Sequence, residues 1–217
     1  MANDFHAPRL EGELSDVESI ELDHDADLDE LEIRELTLAR SPLHDVRLQR
    51  CRLTSVSVAG AHFTNLELRD VIANALDGVG TRLGAARLTR VELRDCRLSG
   101  IDFAEATLRH VVFHSCRLDA ANFRMVDAEH VVFAECELRD ADFGQARLHN
   151  VRFTSSQLDA VDFSNARCEA VDLRGARVER ITGVTGLRGA IIGVDQVLPL
   201  APAVFSDLGI SIRADDD

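Results

Sequence analysis

His110, His114, Cys116 and His130 are the residues whose types and spacing come nearest to chemistry. Histidine and cysteine ligate zinc, and such a site needs three or four ligands converging at roughly 2.0–2.3 Å. On a helix His110 and His114 would share a face, but the surrounding sequence does not have a helical period. It places the two histidines in different slots and turns Cys116 inward. Cys96, Cys116 and Cys136 recur at intervals of 20, a stacking that permits a bridge on Cα spacing. Inward cysteines of this kind read as small buried hydrophobes. The stretch Gly78-Val-Gly80-Thr-Arg-Leu-Gly84 falls one residue off the dinucleotide fingerprint and lacks the strand-to-helix turn those glycines serve. No serine, histidine and acid grouping can be assigned. The chain reads as non-enzymatic, with no catalytic residue, no metal and no cofactor.

The elements that position these side chains follow a five-residue beat. Taking every fifth residue from Leu28 gives Ile33, Leu38, Leu43, Leu48, Leu53, Val58, Phe63 and Leu68, and the beat continues to Val178. Of the 31 positions in this frame, only Ala73, Gly78 and Ala128 fall below a sizeable side chain. Two residues before each lies a second small or apolar position, as in Val46, Cys51, Val56 and Ala61. Helices repeat their apolar residues every 3.6 and simple strands every 2. A period of five with two inward positions fits neither, and defines a solenoid. Positions 20 apart also resemble one another: Phe103, Phe123, Phe143 and Phe163 form one column, and Phe113, Phe133 and Phe153 a second.

Ala121-Asn122-Phe123, Ala141-Asp142-Phe143 and Val161-Asp162-Phe163 resemble the A(D/N)(L/F)xx unit of the pentapeptide-repeat family. The match spans roughly 155 of the 217 residues. It implies an all-β fold, a right-handed quadrilateral β-helix with four pentapeptides per coil. About eight coils at about 4.8 Å each make a rod on the order of 37 Å long. The expected organisation is an acidic segment and irregular first coil over 1–25, the β-helix over 26–182, and a C-terminal cap with an acidic tail over 183–217.

At the amino terminus, Ile20 and Leu22 sit one residue out of phase with Ala26 and Leu28. An extra residue near Asp23 to Asp27 would account for this, and the first ten residues are expected to be loose. Between residues 73 and 86 the beat weakens through Ala73, Gly78 and Gly80, which reads as a bulge, a short outward loop or thin packing. Beyond Ile181, Asp195 is placed to cap a helical turn through Leu198. Pro199 and Pro202 oppose one continuous helix, so a second helix is expected over 203–208, followed by a short strand over 210–212. Val197, Leu198, Leu200, Val204, Phe205 and Leu208 exceed what covering one solenoid end needs, and predict a homodimer contact as well as a cap.

Formal net charge is −14, which opposes direct binding to a nucleic-acid backbone. Residues 1–35 hold 13 acids and two arginines, the tail adds Asp215, Asp216 and Asp217, and residues 36–214 balance 22 acids with 22 arginines. The negative field therefore belongs to the ends. One face is rich in arginine, through Arg47, Arg50, Arg69, Arg87, Arg90, Arg109, Arg147 and Arg167. Among pentapeptide-repeat proteins, the quinolone-resistance members are acidic rods that imitate DNA. The resemblance therefore implies a partner in DNA gyrase or topoisomerase IV. Asp16, Glu18, Glu21, Asp25 and Asp29 near one end, with Asp102, Glu105, Asp142 and Asp162 along a face, are the candidate contacts. The alternative is a scaffold for an unrelated protein, using an apolar surface strip of Ile72, Val112 and Val132. No apolar run long enough to cross a membrane and no secretory leader is evident, so a cytoplasmic location is expected.

Overall fold

Between Asp25 and Arg180, 27 non-glycine residues adopt φ between 48° and 61°, each at a position divisible by five. Gly60, Gly80, Gly100 and Gly175 occupy further positions of the same set. A left-handed residue costs an L-amino acid roughly 1–2 kcal/mol, so the chain turns a strained corner every five residues. Corner N–H groups donate to the next coil: Arg50 to the carbonyl of Arg69 at 2.9 Å, and Glu105 to Arg124 at 3.0 Å. The corners thus create the square outline, and stacking supplies the hydrogen bonds that hold them.

The computed structural model describes residues 5–10, 12–17, 22–38 and 42–211. It is a parallel β-solenoid of about eight turns carrying one short C-terminal helix. Four long strands, Glu67–Asn74, Arg87–Arg94, Thr107–His114 and Asp127–Ala134, run through a corner and pair in parallel. Their register sets Val112 against Val132 and Phe113 against Phe133, one 20-residue coil apart. Rings stack face to face along each column, with centroids 4.7 Å apart for Phe123 and Phe143 and 4.9 Å for Phe113 and Phe133. Across columns they meet edge to face, as Phe123 and Phe133 do at 5.6 Å. This herringbone combines both favoured aromatic geometries and fills the carboxy-terminal half of the core. Cys96, Cys116 and Cys136 point inward and are buried. Two buried hydroxyls share the core because both are satisfied: Thr81 donates to the Val58 carbonyl at 2.8 Å, and Ser156 to Phe133 at 3.0 Å.

Residues 73–86 form a regular coil, not an outward loop. Gly78 donates to Arg97 at 2.8 Å and Arg82 to Ala61 at 2.9 Å, as in every other coil. An apolar cavity of about 80 Å3 runs through the amino-terminal half of the core, lined from Leu22 to Phe103 and including Leu76 and Leu83 of this coil. Leu98 already approaches to 3.0 Å of where a Gly78 Cβ would sit.

The ends depart from the 20-residue lattice. Ser15–Val17 pairs with the strand Leu31–Arg34 so that Ser15 faces Leu31, sixteen residues on. Leu22 packs on the core while Asp23 is exposed, and the corners are regular from Asp25. The expectation of loose first residues is overturned for 5–10, which lie against the rod: the Arg9 N–H donates to Asp70 at 3.0 Å and the His6 N–H to His110 Nδ1 at 3.3 Å. At the other end Asp172 bridges Ile191, nineteen residues on.

The cap also differs from expectation. One helix, Val197–Asp207, runs through both prolines. Pro199 falls in the first turn, where an N–H has no intrahelical partner in any case, and Pro202 is accommodated inside. Ile210 and Ser211 are not in a strand, and residue 212 lies outside the described residues. Asp195 does not cap the helix. Gln196, buried to 2% exposure, fastens it by donating from Nε2 to the carbonyls of Leu173 and Ala176 at 2.6 Å each. Its Oε1 accepts from Gly193 at 2.8 Å, so one amide satisfies the last coil and the cap entry together.

Adjacent alanines on opposite sides of a corner separate these effects. Ala120 is left-handed at φ 54°, whereas Ala121 is buried at 0% exposure. Ala120→Gly should stabilise the rod by up to about 1 kcal/mol by relieving the corner. Ala121→Gly should destabilise it by about 1–2 kcal/mol through lost burial and added chain entropy. Denaturant melts of the two variants give the comparison.

Candidate functional site

The Asp or Asn of each A(D/N)(L/F)xx unit spends one oxygen on its own turn. Asp102 Oδ1 accepts the Ala104 N–H at 3.0 Å, Asp142 Oδ1 that of Gly144 at 2.7 Å, and Asp162 Oδ1 that of Ser164 at 2.8 Å. These are Asx-type turns, stacked in register through bridges from Asp102 to Asn122, Asp142 and Asp162. Coil-to-coil bonds join them: Asn122 Nδ2 donates to Asp102 at 2.8 Å and the Thr182 hydroxyl to Asp162 at 3.1 Å. Burial works to raise the Asp162 carboxyl, but its bonds to Ser164 and Thr182 and the nearby Arg124 hold it below the usual range. Arg124 pairs with Asp142 at 3.1 Å. The acidic face is therefore built of carboxylates already engaged by the fold. Glu105 stands apart from this ladder, on a corner at φ 60° beside an open groove shared with Met125, Gln145, Asn165, Arg147 and Arg167.

At the amino-terminal end Asp16 lies 3.7 Å from Arg34, and Asp29 is paired with Arg50, which also reaches Glu30 at 3.0 Å. Asp25 is an exposed corner residue. Glu18 and Glu21 lie outside the described residues. The arginine-bearing face is likewise interleaved with acids: Arg109 meets Asp127 at 3.0 Å and Glu129 at 3.1 Å, and Arg90 meets Asp70 at 2.5 Å.

Ile72, Val112 and Val132 occupy one outward column in register, with Glu92 between Ile72 and Val112, and all four are half-buried. Glu92 turns to Arg94 at 2.8 Å. The strip is therefore narrower than its composition implies. The larger apolar surface is at the cap, where only Leu200 enters the core. Val197, Leu198, Val204, Phe205 and Leu208 remain exposed, Leu198 to 83%. Val194 and Ile210, which sequence reading passed over, extend the patch. The helix is held in place under it by Gln196 and by Asp207, which accepts the Thr185 N–H at 3.0 Å.

Among the described residues no group of three or more His, Cys, Asp and Glu is placed to hold a metal ion. His110 stacks on His130 at 4.9 Å, while His114 meets the Ser115 hydroxyl and Cys116 Sγ contacts the Leu93 carbonyl inside the rod. All five cysteines are free; hydrogen bonding to the stacked Cys116 thiol, with burial, pushes the Cys96 and Cys136 thiols up, and burial pushes Cys168 up to about 11. No helix among the described residues is long and apolar enough to cross a membrane.

A square parallel solenoid with Asx-turned coils and a helical cap defines a class. Residues 46–123 and 111–182 match the sequence profile described as pentapeptide repeat region, and the chain belongs to the pentapeptide-repeat family. Among solved structures, full-length QnrB1, a plasmid-mediated fluoroquinolone resistance protein, is similar with a TM-score of 0.52 at 17% identity. It aligns over 90% of this chain and 95% of its own. HetL, a pentapeptide repeat protein involved in heterocyst differentiation regulation in the cyanobacterium Nostoc, aligns over 77% of this chain and 87% of its own at 18% identity, with a TM-score of 0.30. At 17% identity the likeness to QnrB1 is one of fold. No curated protein sequence matches the chain.

The turn role of Asp162 is testable. Asp162→Asn keeps the acceptor and should be nearly neutral, whereas Asp162→Ala should lose about 1 kcal/mol, as when a cap is removed. Because the folded carboxyl is held low, its contribution is present above the unfolded value near about 4 and is lost as pH falls through the folded value. Acid melts should therefore be shallower for Asp162→Asn than for the parent chain.

Proposed function

We propose that this chain is a non-enzymatic, homodimeric DNA mimic that binds DNA gyrase or topoisomerase IV and modulates or protects it. The observation carrying the proposal is the polarity of the rod: one end bears an exposed apolar helix, with Leu198 at 83% exposure, and the other bears the exposed acids Asp23, Asp25, Asp27 and Asp29. Two rods joined through the helices would place both acidic ends outermost. Such a dimer spans about 75 Å, comparable to roughly 22 base pairs at about 3.4 Å each. The fold shared with QnrB1 supports this reading. The net negative charge points to a protein surface that binds DNA, and not to DNA itself. Action in the cytoplasm goes with this proposal.

A scaffold for an unrelated protein is the second reading. Specific observations favour it: Asp102, Asp142 and Asp162 are engaged in turns, and residues 36–214 carry no net charge. The readings separate in a supercoiling assay run at two salt levels, with and without a quinolone. A mimic should inhibit gyrase or protect it from the drug at low micromolar protein, with steep loss at high salt. No effect at tens of micromolar leaves the scaffold. For the dimer, Leu198→Arg should convert the sedimenting species from two chains to one while leaving the melting temperature of the rod unchanged, since Leu198 touches no core.

A further inference from the structure

The amino-terminal segment is placed with a regularity its sequence does not announce. His6 sits over His110, ring centroids 4.6 Å apart, and Phe5 meets the same ring edge-on at 6.2 Å. Three residues later the Arg9 N–H reaches Asp70, two coils away. Three extended residues span about 10 Å, and two coils rise about the same, so the segment climbs the rod fully stretched. Pro8 suits it to this, since proline holds itself and Ala7 out of helix. Phe5, Pro8 and Leu10 are half-buried, while His6, Ala7 and Arg9 are exposed.

The strap follows one corner column: Asp70, Arg90, His110 and His130, all left-handed. The lower anchor is ionic. Asp70 is buried and chelated by Arg90 at 2.5 and 2.6 Å. Its burial opposes ionisation, but the bonds from Arg90 and the Arg9 N–H hold the carboxyl below its ordinary range. The upper anchor is different in kind, because His110 Nδ1 must carry a lone pair to accept the His6 N–H. Protonation would turn that acceptor into a second donor facing a donor.

We propose that residues 5–10 form a strap seated on this corner column while His110 is neutral, and that protonation of His110 releases it. The charged surroundings favour this direction. On the strap, His6 faces His110; on the next coil His130 stacks at 4.9 Å, with His149 edge-on beyond it at 6.3 Å. On the coil below lies Arg90, fixed to Asp70, and on the same strand Arg109, occupied by Asp127 and Glu129. Glu129 is the acid that opposes the trend, and it lies 3.8 Å from His130. Burial, then His130 and His6, lower the His110 imidazole, with Glu129 raising it and Arg90 lowering it further. His130, Arg90 and the burial supplied by the rod persist when the strap leaves, so only the strap's own burial and His6 separate the docked value from the undocked one. The docked value is the lower, so docking is complete above the undocked value and weakens as pH falls through it toward the docked one. Asp70 stays ionised throughout, so the switch belongs to the histidine end.

Amide hydrogen exchange on the full chain tests this, expressed as protection factors for His6 and Arg9. Protection should be clear at about pH 7.5 and fall about fivefold by about pH 5, the worth of one hydrogen bond, while amides of Thr107–His114 stay protected. His110→Asn keeps an acceptor and tolerates the left-handed corner, and should leave the strap protected equally at both pH values. In the full-length Arg9→Pro variant the lower anchor is gone, so His110 should titrate higher by NMR than in the parent. Unprotected His6 and Arg9 amides at about pH 7.5, pH-independent protection in the parent, concurrent loss of protection in the rod, or unchanged His110 titration in Arg9→Pro would each overturn the proposal.

Discussion

The structure depends on a strained corner that the neighbouring coil makes tolerable. A left-handed residue every fifth position is unfavourable for a lone chain, and the N–H it exposes has no local partner. Stacking supplies that partner from nineteen residues further on, so no coil is stable without the next. The same arithmetic governs the side chains. Two of every five point inward, and each meets its counterpart 20 residues away at strand spacing. Corner, ladder and core are therefore one cooperative device, in which nearest-neighbour interfaces carry the stability.

That interdependence shapes what the surface has to offer. The carboxylate of A(D/N)(L/F)xx is fixed beside the turn it stabilises, with one oxygen toward the backbone and the other available. A face of such residues presents oxygen atoms at coil spacing whose positions are set by the fold. It is a stiff display, but its charge is shared with Arg124 and with hydroxyl and amide donors. The least compensated negative charge lies where the repeat is least regular, before residue 36.

Much of this was legible in the sequence because it is local and periodic. The five-residue beat located the coils, and residues 20 apart identified the phenylalanine columns, whose stacking follows at 4.7–5.3 Å. Weak spacing at Gly78 was visible, but spacing alone could not separate a loop from a regular coil in which Leu98 fills the place of the missing side chain. Features resting on single long-range contacts left no periodic trace. His6 and His110 are 104 residues apart, and Gln196 is one polar residue among apolar neighbours until its amide meets two carbonyls. The helix through Pro199 and Pro202 was misread because propensity was weighed without the anchors at Gln196 and Asp207 that hold it against the last coil.

The mismatched ends have a consequence of their own. Stacked parallel strands are a template for indefinite growth, the geometry by which cross-β fibrils lengthen. Here the first described coil closes after sixteen residues and the last after nineteen. Neither end offers the outline of a 20-residue square, and one is roofed by a helix pinned through Gln196. A second rod arriving end-on cannot continue the ladder on all four sides. The irregular termini act as chain stoppers, keeping a highly repetitive sequence finite.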